Sequence, residues 1–201
     1  VKYYGGNYFV TKKGQFHIVK NDGIILNYNG LDSEDDDIRK LSVVGGNYFV
    51  TRSGKLFVVQ DNGFYVDKTE MMDFKSNEVK YTGNNYLITK DGIVYTFGTE
   101  VMAQIDANGN IVMENGVAKP LLDANGNKQL YAVVYKYDKV NYKSIAKLGG
   151  NFFFDSENNI HTISNNGIFD RGIVHRKLKI SLSEDQDRSN ETPVSFGTNA
   201  Q

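Results

Sequence analysis

The 201-residue chain contains no cysteine, no tryptophan and only 2 prolines. Without cysteine it can form neither disulfides nor thiolate metal sites, and it has no thiol nucleophile. Its 23 basic and 24 acidic residues give a net charge of -1. This balance argues against binding to nucleic acid or to an anionic membrane surface, since such proteins carry a basic excess. No apolar run approaches the ~20 residues of a membrane-spanning helix.

The abundant residues are glycine, tyrosine and phenylalanine, with 20, 13 and 12 copies. Aromatic and β-branched residues are typical of strands, and glycine and asparagine are typical of the turns between them. The composition therefore predicts many short strands that are joined by tight turns.

One block occurs four times, as "GGNYFVTKKG" at 5–14, "GGNYFVTRSG" at 45–54, "GNNYLITKDG" at 83–92 and "GGNFFFDSEN" at 149–158. A fixed period of this kind indicates a repeat architecture. The asparagines that anchor the block are spaced by 40, 38 and 66 residues; they are Asn7, Asn47, Asn85 and Asn151. Ten residues beyond each anchor stands an aromatic-sized residue, namely His17, Phe57, Tyr95 or His161.

Each repeat divides into four short apolar runs that are separated by glycine-containing turns, which predicts a four-stranded antiparallel meander. The runs are apolar on both faces, as expected for a sheet that is packed between two neighbours. We therefore predict an all-β propeller of about four four-stranded blades, with a hairpin insertion in the third. A β-sandwich and a partial five-bladed propeller are the alternatives.

The expected domain is a single propeller over residues 1–182, with repeats at about 1–30, 38–68, 77–142 and 143–172. The run "IVHRKLKISL" at 173–182 is interpreted as a closing strand, or alternatively as the first strand of a truncated blade. Residues 183–201 form a polar C-terminal tail.

Two segments, "SVVGGNYFVTRSGKLFVV" at 42–59 and "KLGGNFFFDSENNIHTI" at 147–163, carry a glycine pair, an aromatic strand, a turn and a second strand. In this pattern the chain resembles tachylectin-type lectin propellers over most of residues 1–170. The resemblance implies a propeller fold and a glycan ligand. The sugar-binding segments of that family contain tryptophan, which this chain lacks.

The wider spacing before the fourth repeat holds an insertion of about 27 residues, Ala103–Gln129, with "DANGN" at 106–110 and again at 123–127. Acid and amide at positions 1, 3 and 5 are typical of a calcium loop, which also needs glycine at position 6 and glutamate at position 12. Those two positions hold Ile111 and Val117 in one copy and Lys128 and Val134 in the other. The sequence therefore predicts hairpin turns, at the same end of the blade as the Gly-Asn turns.

No catalytic motif is found, and no catalytic residue, metal ligand or cofactor is assigned. His17 and His161 are interpreted as packing residues between blades, with a metal-binding pair as the alternative. The asparagines Asn7, Asn47, Asn85 and Asn151 satisfy turn geometry or, alternatively, form a ring of amides that binds a polar ligand. The acidic run at 34–37 and the basic cluster around His175 are interpreted as solvated surface; the alternatives are a surface cation site for the acidic run and an anionic partner for the basic cluster.

The sequence favours a non-catalytic binding or scaffold module that presents one decorated propeller face to a protein or glycan partner. The alternatives are a propeller-type hydrolase or lyase with a site at the channel mouth, and a purely structural envelope or assembly protein. The composition, and an N-terminal residue that is not methionine, favour an exported location: periplasmic, cell-surface or secreted.

Overall fold

The computed structural model describes residues 1–28, 40–138 and 142–170. Within them the chain forms four four-stranded antiparallel sheets, in which neighbouring strands follow one another along the chain except where the insertion separates the last two strands of the third sheet. The prediction of an all-β fold built from blade-like meanders is confirmed. The expected closing strand, the polar tail, the acidic run and the cluster around His175 lie outside the described residues.

The first two sheets have short strands throughout. The first contains β1 (Tyr3–Tyr4), β2 (Tyr8–Val10), β3 (Phe16–Val19) and β4 (Ile25–Tyr28). The second contains β5 (Leu41–Val44), β6 (Tyr48–Thr51), β7 (Leu56–Val59) and β8 (Tyr65–Asp67). Two 3₁₀ turns, Thr69–Met71 and Ser76–Glu78, lead from the second sheet to the third.

The third sheet carries the insertion. It contains β9 (Val79–Thr82), β10 (Tyr86–Thr89), β11 (Val94–Val101) and β14 (Leu130–Tyr137), while the small hairpin of β12 (Met113–Glu114) and β13 (Val117–Ala118) lies within the insertion. The fourth sheet contains β15 (Ile145–Leu148), β16 (Phe152–Asp155), β17 (Ile160–Ile163) and β18 (Phe169–Asp170). Among the described residues no helix is long and apolar enough to cross a membrane.

The turns inside the sheets repeat one five-residue design. In the first sheet Thr11 and Gln15 pair across the turn, and Gly14 donates its amide to the Thr11 carbonyl while lying at φ +81°. This positive φ is the conformation that glycine adopts without steric cost. The Thr11 hydroxyl accepts a further hydrogen bond from the Gln15 amide. Hairpin geometry therefore explains why similar turn residues recur from one repeat to the next.

The sheets pack face to face in chain order, and three clusters of buried apolar side chains lie between them. We call the side of a sheet that faces the following sheet its forward face, and the opposite side its backward face. Between the first and second sheets, the forward face contributes Tyr8, Val10, Phe16 and Ile18, and the backward face contributes Leu41, Phe49, Phe57 and Val59. The other two interfaces use the equivalent positions of the repeat.

The first glycine of the turn in each repeat lies against the aromatic residue that follows it. A Cβ atom added to Gly45 would lie 2.1 Å from a ring carbon of Tyr48, and one added to Gly83 would lie 2.0 Å from the equivalent carbon of Tyr86. Real side chains do not approach so closely, so only glycine fits above the ring. The repeated "G-G/N-N-Y/F" string is a packing unit.

The same tyrosines join each sheet to the next by hydrogen bonds. The Tyr8 hydroxyl donates to the carbonyls of Gly45 and Tyr48, each at 2.9 Å, and the Tyr48 hydroxyl donates to the carbonyl of Tyr86 at 2.6 Å. The Tyr86 hydroxyl donates to the carbonyls of Gly149 and Phe152. Because the fourth repeat carries Phe152 at this position, the series of hydroxyl donors ends there.

We expect Tyr48→Phe to lower the free energy of unfolding by about 1 kcal/mol, the net value of one intramolecular hydrogen bond. The loss stays small because the Tyr86 carbonyl still accepts the amide of Gly83. Urea denaturation followed by circular dichroism measures the difference. Tyr4→Phe is the matched control, since the Tyr4 side chain is exposed. Equal stabilities of the two variants would show that the hydroxyl series does not hold the sheets together.

Candidate functional site

The four candidate asparagines lie in four turns that are hydrogen-bonded to one another in chain order. The turns are linked by backbone hydrogen bonds, from the Gly6 amide to the Gly46 carbonyl, from the Gly46 amide to the Asn84 carbonyl, and from the Asn84 amide to the Gly150 carbonyl. The asparagines that follow these turns, Asn7, Asn47, Asn85 and Asn151, therefore lie at the same end of successive sheets.

The side chains of these asparagines differ in their partners. The Asn47 amide group donates to the Phe97 carbonyl at 3.1 Å, and the Asn85 amide group donates to the Ser164 carbonyl at 2.8 Å. Each bond reaches the next sheet, so both residues have a structural role. Asn151 is exposed, as expected for the last sheet in the series. The side-chain oxygens of Asn7, Asn47 and Asn85 are buried and accept no hydrogen bond from the described part of the chain.

The four aromatic-sized residues ten positions after the asparagines all lie on backward faces. Phe57, Tyr95 and His161 are buried between sheets, as the packing interpretation requires. His17 is only half-buried, and the expectation that it is buried too is wrong, because no described sheet precedes the first one.

The two histidines have separate partners within their own sheets. His17 Nδ1 lies 2.5 Å from Asn27 Oδ1, and the ring stacks on Phe9. His161 Nε2 lies 2.9 Å from Asp155 Oδ2, and this ring packs against both Phe153 and Phe169, which also contact each other. Within residues 1–28, 40–138 and 142–170, no group of three or more potential metal ligands comes together.

Asp155 belongs to a third copy of the insertion's turn, which sequence reasoning missed. Its Oδ1 accepts the amides of Glu157 and Asn159, both at 2.9 Å. Burial opposes ionisation of this carboxyl, but the hydrogen bonds from His161 and from the turn amides outweigh it and lower the pKa of Asp155. The signal in the sequence was "DSENN", where Asn158 takes the positive φ that glycine takes in "DANGN".

The insertion rises from the end of the third sheet at which the asparagine turns lie. β10 begins at Tyr86, opposite Thr96, but β11 and β14 stay paired as far as Val101 and Leu130. The five residues of β11 beyond Thr96 extend the ladder by ~16 Å at 3.3 Å per residue. The meander topology therefore places the asparagine turns and the insertion at one end of the molecule, which we call the decorated end.

At its tip the insertion folds into three short hairpins, which confirms the predicted hairpin insertion. Bridges join Ile105 to Ile111 and Leu122 to Lys128, and β12 pairs with β13 between them. The hairpins are joined at their base by hydrogen bonds from the Gln104 amide to the Lys119 carbonyl and from the Leu121 amide to the Met102 carbonyl.

The two aspartate carboxylates of the "DANGN" segments accept hydrogen bonds from backbone amides of their own turns. Asp106 Oδ1 accepts the amides of Asn108 at 2.8 Å and Asn110 at 2.9 Å, and Asp123 Oδ1 accepts the equivalent pair. The backbone amides of Asn110 and Asn108 hold the pKa of Asp106 below its usual value. These aspartates act as turn residues of the Asx type, in agreement with the sequence prediction.

The most unusual chemical feature of the decorated end is the apolar surface of the insertion. Counting Met102, which directly precedes it, six large hydrophobic side chains of the insertion are between 38% and 69% exposed; they are Met102, Ile105, Ile111, Met113, Val117 and Leu122. None of them belongs to the three buried clusters between the sheets. The sequence located the insertion but did not predict this exposed surface, because short apolar runs are equally typical of buried strands.

The base of the insertion is fixed by polar contacts of one carboxylate. Glu100 Oε2 accepts the Tyr131 hydroxyl and Glu100 Oε1 accepts the Tyr135 hydroxyl, both at 2.5 Å. The two hydroxyls lower the pKa of Glu100, while the carboxylate raises the pKa of Tyr135 to about 12. These bonds cross between β11 and β14 and stabilise the part of that ladder beyond Thr96 and Tyr135, which supports the three hairpins and which we call the stalk.

Comparisons with known proteins give no relative for this chain. No family model matches it, and neither the curated proteins nor the solved structures contain a significant match.

We expect substitution of the two histidines to change the free energy of unfolding by different amounts. We expect His17→Phe to change the free energy of unfolding by less than about 0.5 kcal/mol, since the side chain is half-exposed. We expect His161→Phe to cost about 1–2 kcal/mol, because it removes the partner of the partly buried Asp155 carboxylate. Urea denaturation of both variants at neutral pH measures the difference. A larger cost at His17 than at His161 would contradict the assigned roles.

Proposed function

We propose that this protein is a non-catalytic binding module that presents its decorated end to a protein partner. The observation that supports the proposal is the set of six exposed apolar side chains on the insertion. Exposed apolar surface on an otherwise soluble fold is a mark of protein–protein contact sites. Elaborated loops on a rigid scaffold are also where binding functions are commonly located.

The chemistry of the insertion favours a protein over a glycan as the ligand. Its exposed surface is aliphatic and contains Met102 and Met113, whose flexible thioethers adapt to irregular apolar surfaces. A sugar-binding platform would need aromatic faces with converging polar groups. The resemblance to tachylectin-type propellers is the one observation that favours a glycan, and it defines the second candidate function.

The stalk supports the same proposal, because it reduces the entropy that binding would cost. Eight residue pairs join β11 to β14, and Glu100 links Tyr131 and Tyr135 near the end of this ladder that carries the hairpins. A surface that is already held in one orientation loses little freedom when a partner docks. In keeping with an extracellular binding role, we also propose that the protein is exported; cell fractionation that finds it only in the cytoplasm would contradict this.

The test replaces residues 103–128 with Asn-Gly, so that the ladder closes in a two-residue hairpin turn just beyond Val101 and Leu130. We expect the variant to fold with nearly unchanged thermal stability, because the removed segment contributes nothing to the three core clusters. Differential scanning calorimetry measures this, with the unaltered chain as reference. A variant that cannot fold would show that the insertion belongs to the core.

The second part of the test compares binding by the full chain with binding by the shortened variant. Both are immobilised and exposed to the same extract, and to the same panel of glycans, and the retained material is quantified. We expect a protein that the full chain retains and the shortened chain does not, with Ile105→Asp and Ile111→Asp reducing its retention at least tenfold. Glycan retention by both chains would favour the second candidate, and identical protein retention would place the functional surface elsewhere.

A further inference from the structure

The two end sheets of the series carry interface residues that the described structure leaves uncovered. On the forward face of the fourth sheet, Phe152 lies opposite Thr162 and Phe154 lies opposite Ile160. Phe152, Phe154 and Ile160 are half-buried, and Thr162 is exposed. The equivalent residues of the first sheet, Tyr8, Val10, Phe16 and Ile18, are all at most 2% exposed.

The backward face of the first sheet is uncovered in the same way. Phe9 and His17 form a stacked pair that is half-buried, and Ile25 is 52% exposed. Among the equivalent residues of the second and fourth sheets, Phe49, Phe57 and Phe169 are at most 8% exposed, and Tyr65 is half-buried. Within the described residues no hydrogen bond, ring contact or core cluster joins the first sheet to the fourth.

These two uncovered faces are of opposite kinds. Every interface inside the chain packs a forward face against a backward face. Among residues 1–28, 40–138 and 142–170, no sheet packs on the forward face of the fourth sheet or on the backward face of the first. A second copy of the same chain would supply a face of the matching kind at each end.

We propose that the forward face of the fourth sheet docks onto the backward face of the first sheet of a second copy. The contact is heterologous, because two different surfaces meet, and such contacts either close into rings or continue as open chains. Two copies that satisfy both contacts would form a ring of eight sheets, which is within the four to eight blades that propellers contain. This inference is independent of the proposed binding function, which concerns the decorated end.

The lack of a tyrosine hydroxyl at position 152 is expected to limit the strength of this contact. At each internal interface a tyrosine hydroxyl donates to a carbonyl of the next sheet. The fourth sheet carries Phe152 there, so the contact between copies forms without this bond and is weaker than the internal ones. Introducing the hydroxyl should strengthen it, since the carbonyls of Gly5 and Tyr8 in the second copy are the equivalent acceptors.

The experiment measures self-association of the full chain by sedimentation velocity over micromolar to millimolar concentrations. We expect concentration-dependent dimers or larger species, and Phe152→Tyr should lower the dissociation constant by about fivefold, the effect of one net hydrogen bond. A wild-type chain that stays monomeric throughout would overturn the proposal. So would Phe152→Tyr that folds but associates no more tightly.

Two blocking variants distinguish the two faces. Thr162→Lys places a charge on the forward face of the fourth sheet, and Ile25→Lys places one on the backward face of the first; both side chains are exposed, so each variant should fold. Each alone should be monomeric. An equimolar mixture should regain a dimer, because Ile25→Lys retains the forward face and Thr162→Lys retains the backward face.

The control is Val117→Lys, which adds the same charge at an exposed position on the insertion and should associate as the wild type does. Circular dichroism confirms that all variants are folded. If either blocking variant alone still associates, like faces pair with one another or a different surface is used, and the proposal is wrong. If Val117→Lys abolishes association, the insertion is the contact.

Discussion

The contact between a glycine-pair turn and the aromatic ring that follows it is the constraint on which the rest of the structure depends. The ring occupies the space that a side chain at the first glycine would need, as Gly45 and Tyr48 show. The turn is thereby fixed close to the ring. Its carbonyls then lie where the hydroxyl of the preceding sheet can reach them, and the backbone of one turn can bond to that of the next.

Because one unit provides both the local turn and the link between sheets, repeating it produces the whole architecture. Each sheet alone would expose two apolar faces, and stacking in chain order buries them in pairs. Side-chain hydrogen bonds also join each sheet to the next one along the chain, as the bonds from Asn47 and Asn85 illustrate. The insertion in the third sheet does not disturb this order, since it extends the ladder of β11 and β14 beyond the packed region.

The departures from the repeat identify where the series ends and where function is proposed. Phe152 stands where the other repeats have a hydroxyl donor, and no sheet in the described part of the chain covers His17, so the first and fourth sheets differ from the inner two in their outer contacts. At the decorated end, three hairpins expose aliphatic side chains that the sheets do not need. The end faces and the insertion are thus separate surfaces with separate expected partners.

The sequence alone determined the strands, the turns and the site of the insertion, because hairpins depend on residues that are close along the chain. "DANGN" and the glycine turns specify their geometry locally, whatever surrounds them. The tertiary structure alone decided which aromatics are covered, which hydroxyl meets which carbonyl, and which apolar runs face solvent. Phe57 and His17 occupy the same repeat position, yet only Phe57 is buried, because burial depends on a neighbouring sheet that local sequence does not encode.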